Sequence, residues 1–133
     1  MHQVRPKILL TGATGFIGQA VCQALIDKGF GVKILLRDPS GLSKIPPNLG
    51  ASTVLGALDN ESALAVACHG CDQILHLAGM AHVSKSQAKL AVATNLEGTQ
   101  NLLAAAIKAK VRRLVFLSSS LAEAAASGKG DVT

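Results

Sequence analysis

A doubly wound parallel α/β sheet is the fold class the chain predicts, and three observations carry that expectation. Short apolar runs alternate with stretches of helical spacing along the 133 residues, and those runs are apolar throughout, as strands covered by helices on both faces must be. The first run also passes directly into a glycine loop, Thr11-Gly12-Ala13-Thr14-Gly15-Phe16-Ile17-Gly18, which opens the first helix.

Taken in order, Lys7-Ile8-Leu9-Leu10 reads as a buried strand, and Ile17, Val21, Leu25 and Ile26 recur at helical spacing until Lys28-Gly29 ends the helix. Val32 to Leu36 is the second strand, Pro39 to Gly50 a loop, and Ser52 to Leu55 the third strand. Glu61 to Cys68 is a short helix capped by Asp59 or Asn60, with Asp59 the favoured cap over an adenine contact. Ile74 to Leu77 is the fourth strand, Gln87 to Lys110 a long helical region, and Leu114 to Leu117 the fifth strand. No linker, repeat or low-complexity block divides residues 1–133, which read as one domain.

Each glycine of the loop has a physical reason. Gly12 permits the tight turn out of the strand, Gly15 lets a ligand approach the backbone, and Gly18 lets the helix pack closely. Free N–H groups and the positive end of the helix dipole then face one point, which suits the pyrophosphate of a dinucleotide. An ordinary turn before a glycine-tolerant helix is the competing reading, and the strand before and the strand beyond argue against it.

Composition narrows the class. The chain is 49% hydrophobic with three Phe, no Trp and no Tyr, so its core is aliphatic. No apolar run reaches membrane-spanning length and Met1 to Pro6 carries no apolar signal segment, so a cytoplasmic protein without a membrane partner is expected. The net charge of +5 is dispersed, and aromatic residues for base stacking are scarce, which argues against nucleic acid as a partner. Lys108, Lys110, Arg112 and Arg113 cluster where cations complement a helix C-terminus. Cys68-His69-Gly70-Cys71 has metal or redox spacing, yet no second pair accompanies it, so no metal site is expected. Asp72 reads as a turn or surface residue.

The G-x-x-G-x-x-G spacing, with VKILLRDP at 32–39, DQILHLAG at 72–79, NLEGTQNLL at 95–103 and RLVFLSSS at 113–120, resembles the extended short-chain dehydrogenase/reductases of the NAD-dependent epimerase/dehydratase kind. The resemblance covers nearly the whole chain and implies a Rossmann-like sheet, its first five strands, ending before the family's Tyr-Lys helix. It implies cofactor contacts from Gly12, Thr14, Gly15, Phe16, Ile17 and Gly18 in the loop, from Arg37, from the Leu58 backbone, and from Leu77, Ala78 and Gly79. Asn95 holds site geometry in that scheme, Gly98 allows a close helix crossing, and His76 makes a supporting hydrogen bond. Ser120 would hydrogen-bond the substrate hydroxyl or carbonyl.

Three departures from the family pattern matter. The usual acidic residue at the end of strand two falls on Leu36 and is followed by Arg37, which suits a 2′-phosphate and favours NADP over NAD; a solvated Arg37, or Asp38 reaching the ribose, are the alternatives. Ala57 replaces the Asp that meets adenine. The catalytic Tyr is absent, because the chain has none. The expected function is thus the cofactor-binding portion of a nucleotide-sugar epimerase, dehydratase or reductase, truncated before the substrate-binding part and inactive alone. A non-catalytic NADP(H)-binding module and an assembly half needing a second polypeptide are the other classes. The apolar face from Leu96 to Ala106 and the edge at Leu114 to Leu117 imply a homodimer or larger self-association, with Leu121 to Thr133 disordered or borrowed by a neighbour.

Overall fold

The computed structural model describes residues 5–79 and 84–117. Apolar runs become β1 (Lys7–Thr11), β2 (Gly31–Leu36), β3 (Thr53–Leu55), β4 (Gln73–His76) and β5 (Arg113–Phe116). They pair in parallel in the order β3-β2-β1-β4-β5, so the chain moves outward in one direction from β1 and then crosses back to build the other half. Helices α1 (Phe16–Asp27), α2 (Glu61–Cys68), α3 (Ala88–Val92) and α4 (Gly98–Lys108) supply the layers. Side chains alternate along β1, and each face meets its own core. Ile8 and Leu10 pack with Cys22 and Leu25 of α1, while Leu9 packs with Leu64 of α2 and Leu102 and Ala106 of α4. A strand buried on both faces has no polar positions to alternate, which is why Ile8-Leu9-Leu10 is a continuous apolar run.

Both β4 and β5 begin one residue earlier than their hydropathy predicts, at Gln73 and Arg113, which pair with each other in register. At the strand starts the side chains reach solvent, so polarity there carries no information about pairing. Asp72, expected to be a turn or surface residue, lies in a bend before β4 and also ties this edge together. Its carboxylate accepts the Lys7 N–H at 2.8 Å, its own N–H donates to the Lys7 carbonyl at 2.8 Å, and its carbonyl accepts the Arg112 N–H at 2.9 Å.

Three further local expectations are corrected. In place of a plain Pro39 to Gly50 loop there are two 3-10 turns, Pro39–Lys44 and Pro47–Ser52, the second taking in Ser52 that was expected to open the third strand, and the first capped by the Asp38 carboxylate on the Ser40 N–H at 3.0 Å. Asn60, and not Asp59, caps α2, accepting the Ala63 N–H at 3.0 Å. The long helical region is broken into a 3-10 turn at Lys85–Gln87, α3, a π-helical turn at Ala93–Glu97, and α4. Asn95 lies inside that π turn and does not start a helix. Gly98, just after it, lets α4 cross the chain following β3: a Cβ there would stand 2.9 Å from Leu58 Cβ.

Two glycines set the geometry of the loop. Gly12 has φ +75°, the left-handed region that favours glycine, and a Cβ on Gly18 would lie 1.8 Å from the Gly12 carbonyl oxygen. The start of α1 therefore rests on backbone, which has no flexible end to move aside. Replacing Gly18 by Ala should cost roughly 3 kcal/mol or more in urea unfolding. Gly70→Ala, at φ +74° but with no atom near its added Cβ, should cost only about 1 kcal/mol. Equal costs would show that the loop contact is not what fixes α1.

Candidate dinucleotide site

The carboxyl ends of β1 and β4 are adjacent at the point where the strand order reverses, the place at which open α/β sheets leave a crevice. The glycine loop fills one side of it. Gly15 is the N-cap of α1, and its N–H returns to the Gly12 carbonyl at 3.2 Å, while the Gln19 amide donates to the Thr14 carbonyl at 2.9 Å. No acidic side chain occupies the first turn of α1, so its positive end is not neutralised from within that turn. A Cβ on Gly15 would meet nothing nearer than the Gly12 oxygen at 3.6 Å, and Phe16 is 94% exposed, so the outer side of the loop is open to an anion. Thr14 and Ile17 lie on the same turn, whereas Ala13 is buried beneath it.

The other side is the end of β4, and it is pressed against the loop. A Cβ on Gly12 would lie 2.6 Å from both the Ala78 nitrogen and the Leu77 carbonyl carbon. Leu77, Ala78 and Gly79 are thus brought to Gly12, and Gly79 in turn lies beside Asn95, whose Oδ1 would be 3.1 Å from an added Cβ. The expected contacts of Gly12, Gly15, Gly18, Ala78, Gly79 and Asn95 converge on one edge.

Beneath that edge lies a polar network that hydropathy does not mark. Thr11, at 1% exposure, accepts the Leu77 and Ala78 N–H groups on its hydroxyl oxygen at 3.1 and 3.2 Å. The same oxygen is 2.6 Å from His76 Nδ1, and His76 Nε2 is 2.9 Å from the Thr99 hydroxyl, which donates to the Asn95 carbonyl at 2.8 Å. The Thr11 lone pairs already face two N–H groups, so its hydroxyl hydrogen goes to Nδ1 and the ring proton sits on Nε2. His76 makes the supporting hydrogen bond expected of it. Thr11 and Thr99 were not expected, and the one hint was a threonine closing an otherwise apolar strand. Burial pushes the His76 pKa below its ordinary 6.5, and the Phe116 ring lies 5.5 Å away.

At the end of β2 the buried Leu36 is followed by Arg37, which is exposed, and by Asp38, whose carboxyl is held below its ordinary 3.8 by the Ser40 N–H and hydroxyl, with Arg37 adding a smaller effect. One oxygen of Asp38 is thereby committed to capping. The turn it caps packs back on the loop, since a Cβ on Gly41 would lie 2.9 Å from Thr14 Cγ2. Leu58 is placed against Gly98, with its carbonyl accepting the Asn101 amide at 3.0 Å. Ser120 lies outside the described residues, as do Met80, Ala81, His82 and the stretch Leu121 to Thr133.

Cys68 and Cys71 are buried in the core between α2 and the sheet. Burial first, then the neighbouring Cys71 thiol, pushes the Cys68 pKa up to about 11, and the Cys71 thiol donates to the Ala67 carbonyl at 3.3 Å. Such thiols stay protonated near neutrality and act as small apolar residues. A groove of 590 Å³ between α2 and α4 is lined by none of the residues expected to hold a cofactor.

Residues 8–131 match the NAD dependent epimerase/dehydratase family. A farnesyl-dihydroquinoline-oxide ketoreductase of Stigmatella aurantiaca is 32% identical over 113 residues, covering 85% of this chain and 33% of that protein. Among solved structures, a short-chain dehydrogenase/reductase superfamily protein of Agrobacterium tumefaciens with bound NAD superposes with TM-score 0.73 and 38% identity, over 86% of this chain and 33% of the other. A UDP-glucose-4-epimerase of Stenotrophomonas maltophila, with bound NAD and formylated UDP-arabinopyranose, gives 0.74 and 30%, over 88% and 38%. The chain belongs to the NAD-dependent epimerase/dehydratase family, as an NAD(P)-binding member with a Rossmann-like sheet. It spans about a third of the length of the relatives it matches.

The burial of His76 makes stability depend on pH in one direction. Its folded pKa lies below that of the unfolded chain, so the unfolded state takes up the proton first as pH falls. Stability should be full above about pH 6.5 and decline below it, and His76→Gln should flatten that slope between about pH 5 and 7 in urea unfolding. A slope unchanged in the variant would assign it to another group.

Proposed function

We propose that residues 1–133 form the cofactor-binding part of an oxidoreductase that interconverts a secondary alcohol and a ketone using NADP(H). The observation that carries the cofactor choice is the end of β2, where Arg37 is exposed while Asp38 is engaged as a cap on Ser40. A carboxylate already accepting the backbone is a poor partner for a ribose diol, whereas a planar cation matches a 2′-phosphate. The solved neighbours described above hold NAD, so this preference is specific to the residues of this chain.

When bound, the nicotinamide supplies the hydride chemistry. The chain's own residues do the rest of the binding: the loop N–H groups and the α1 dipole meet the pyrophosphate, and Ala78 and Gly79 let the cofactor lie against the backbone. Ser120 would orient the substrate oxygen. A ketone or alcohol on a small apolar molecule fits the ketoreductase relative, and a nucleotide sugar, the second reading, fits the epimerase neighbour. Leu90, Val92, Leu96, Leu103 and Ile107 are exposed along α3, the π turn and α4, which supports a self-associating face on that layer.

Calorimetry should show NADP binding at least about tenfold tighter than NAD, and Arg37→Ala should erase that difference while leaving NAD affinity unchanged. Equal affinities in the parent chain would overturn the assignment of Arg37. Gly15→Val should abolish binding of both, because its backbone conformation, φ −75° and ψ 171°, tolerates valine while the side chain fills the ligand's space. Since the chain contains no tyrosine, bound NADPH should not be oxidised by any panel of ketones or sugar nucleotides. Turnover dependent on Ser120 would show that another group has taken the proton-transfer role.

A further inference from the structure

One buried imidazole is joined to all three backbone segments that meet at the candidate site. We propose that His76 is a positioning residue for dinucleotide binding: through Thr11 and Thr99 it locks the glycine loop, the end of β4 and the π-helical turn of Asn95 into a single arrangement. The inference rests on the dinucleotide reading of that edge.

The connections are short in sequence as well as in space. Thr11 immediately precedes Gly12, and its hydroxyl oxygen holds the Leu77 and Ala78 N–H groups, the second of which belongs to the peptide against which Gly12 is pressed. On the far side of the ring, Thr99 donates to the Asn95 carbonyl inside the π turn, and Asn95 Oδ1 stands beside Gly79. A neutral imidazole accepts at one ring nitrogen and donates at the other, so it carries one continuous sense of hydrogen bonding from β1 to the turn. A carboxylate offers only acceptors and an ammonium only donors. Proton uptake would put an N–H on Nδ1 facing a Thr11 oxygen that already receives two N–H groups, and the lock would open.

The neighbours of His76 are the Thr11 hydroxyl from β1, the Thr99 hydroxyl from α4 and the Phe116 ring from β5. Among the described residues no charged or other titratable side chain pairs with the ring, and burial lowers its pKa.

NAD is the probe, because its pyrophosphate keeps its charge where the 2′-phosphate of NADP titrates, with a pKa of about 6. Thr99→Val should weaken NAD binding about tenfold, and Thr99→Ser, which restores the hydroxyl, should recover it to within about twofold. In the parent chain affinity should fall between about pH 7.5 and 5.5, and in His76→Gln it should be weaker but flat over that range. Unchanged affinity in a folded Thr99→Val, failure of Thr99→Ser to recover it, or an acid fall that persists in His76→Gln would overturn the proposal. If the parent chain binds no dinucleotide, the reading of the edge fails. The lock is then judged by ring ¹⁵N signals, where the Nε2–H tautomer supports it and the Nδ1–H tautomer overturns it.

Discussion

The contact on which the upper edge of the sheet depends is that between the Gly12 backbone and the peptide joining Leu77 to Ala78. It is close enough that no side chain fits at Gly12, and the Gly12 φ of +75° would strain any other residue. Because the two strand ends touch there, the loop that follows has one path, and it delivers Gly18 onto the Gly12 carbonyl. The direction of α1 follows from that seat, and with it the point at which its free N–H groups converge.

Polar groups under this contact are satisfied without any charged partner. Thr11, His76 and Thr99 form a chain of hydrogen bonds without a charged member, with the Phe116 ring beside His76. In such surroundings each bond is stronger than in water, and a missing partner costs about 1–3 kcal/mol, so the network specifies geometry more sharply than apolar packing alone. The site itself stays open above it. Gly15, Phe16 and Arg37 are exposed there, above the buried Thr11 and His76.

The opposite edge shows the same economy with different chemistry. Asp72 uses its carboxylate, N–H and carbonyl to align the starts of β1 and β5 around β4, and the Lys33 ammonium reaches the Val66 and His69 carbonyls at the end of α2. These charged residues serve backbone groups that would otherwise face solvent unpaired. The dispersed positive charge of the chain is therefore partly structural. Uncovered apolar side chains gather elsewhere, along α3, α4 and β5, where Val115, Phe116 and Leu117 are each nearly half exposed.

The sequence by itself determined the parallel sheet, the strand–loop–helix unit and the place of Gly12, Gly15 and Gly18, because burial on both faces and the demands of a tight turn write themselves into residue type at fixed spacing. Only the tertiary structure decided what depends on partners distant in the chain. Asp72 became a tie because β1, 65 positions earlier, lies beside it, whereas the choice of Asn60 over Asp59 as cap is local, its carbonyl oxygen meeting the Ala63 N–H three residues on. The π turn at Asn95 is equally invisible to hydropathy, since α-helical and π-helical windings place apolar residues on nearly the same face over so few residues. His76 was legible as a supporting residue, but its role needed Thr11, 65 positions before it, and Thr99, 23 positions after it. Hydrogen-bond direction between such residues arises only when the fold brings them within reach.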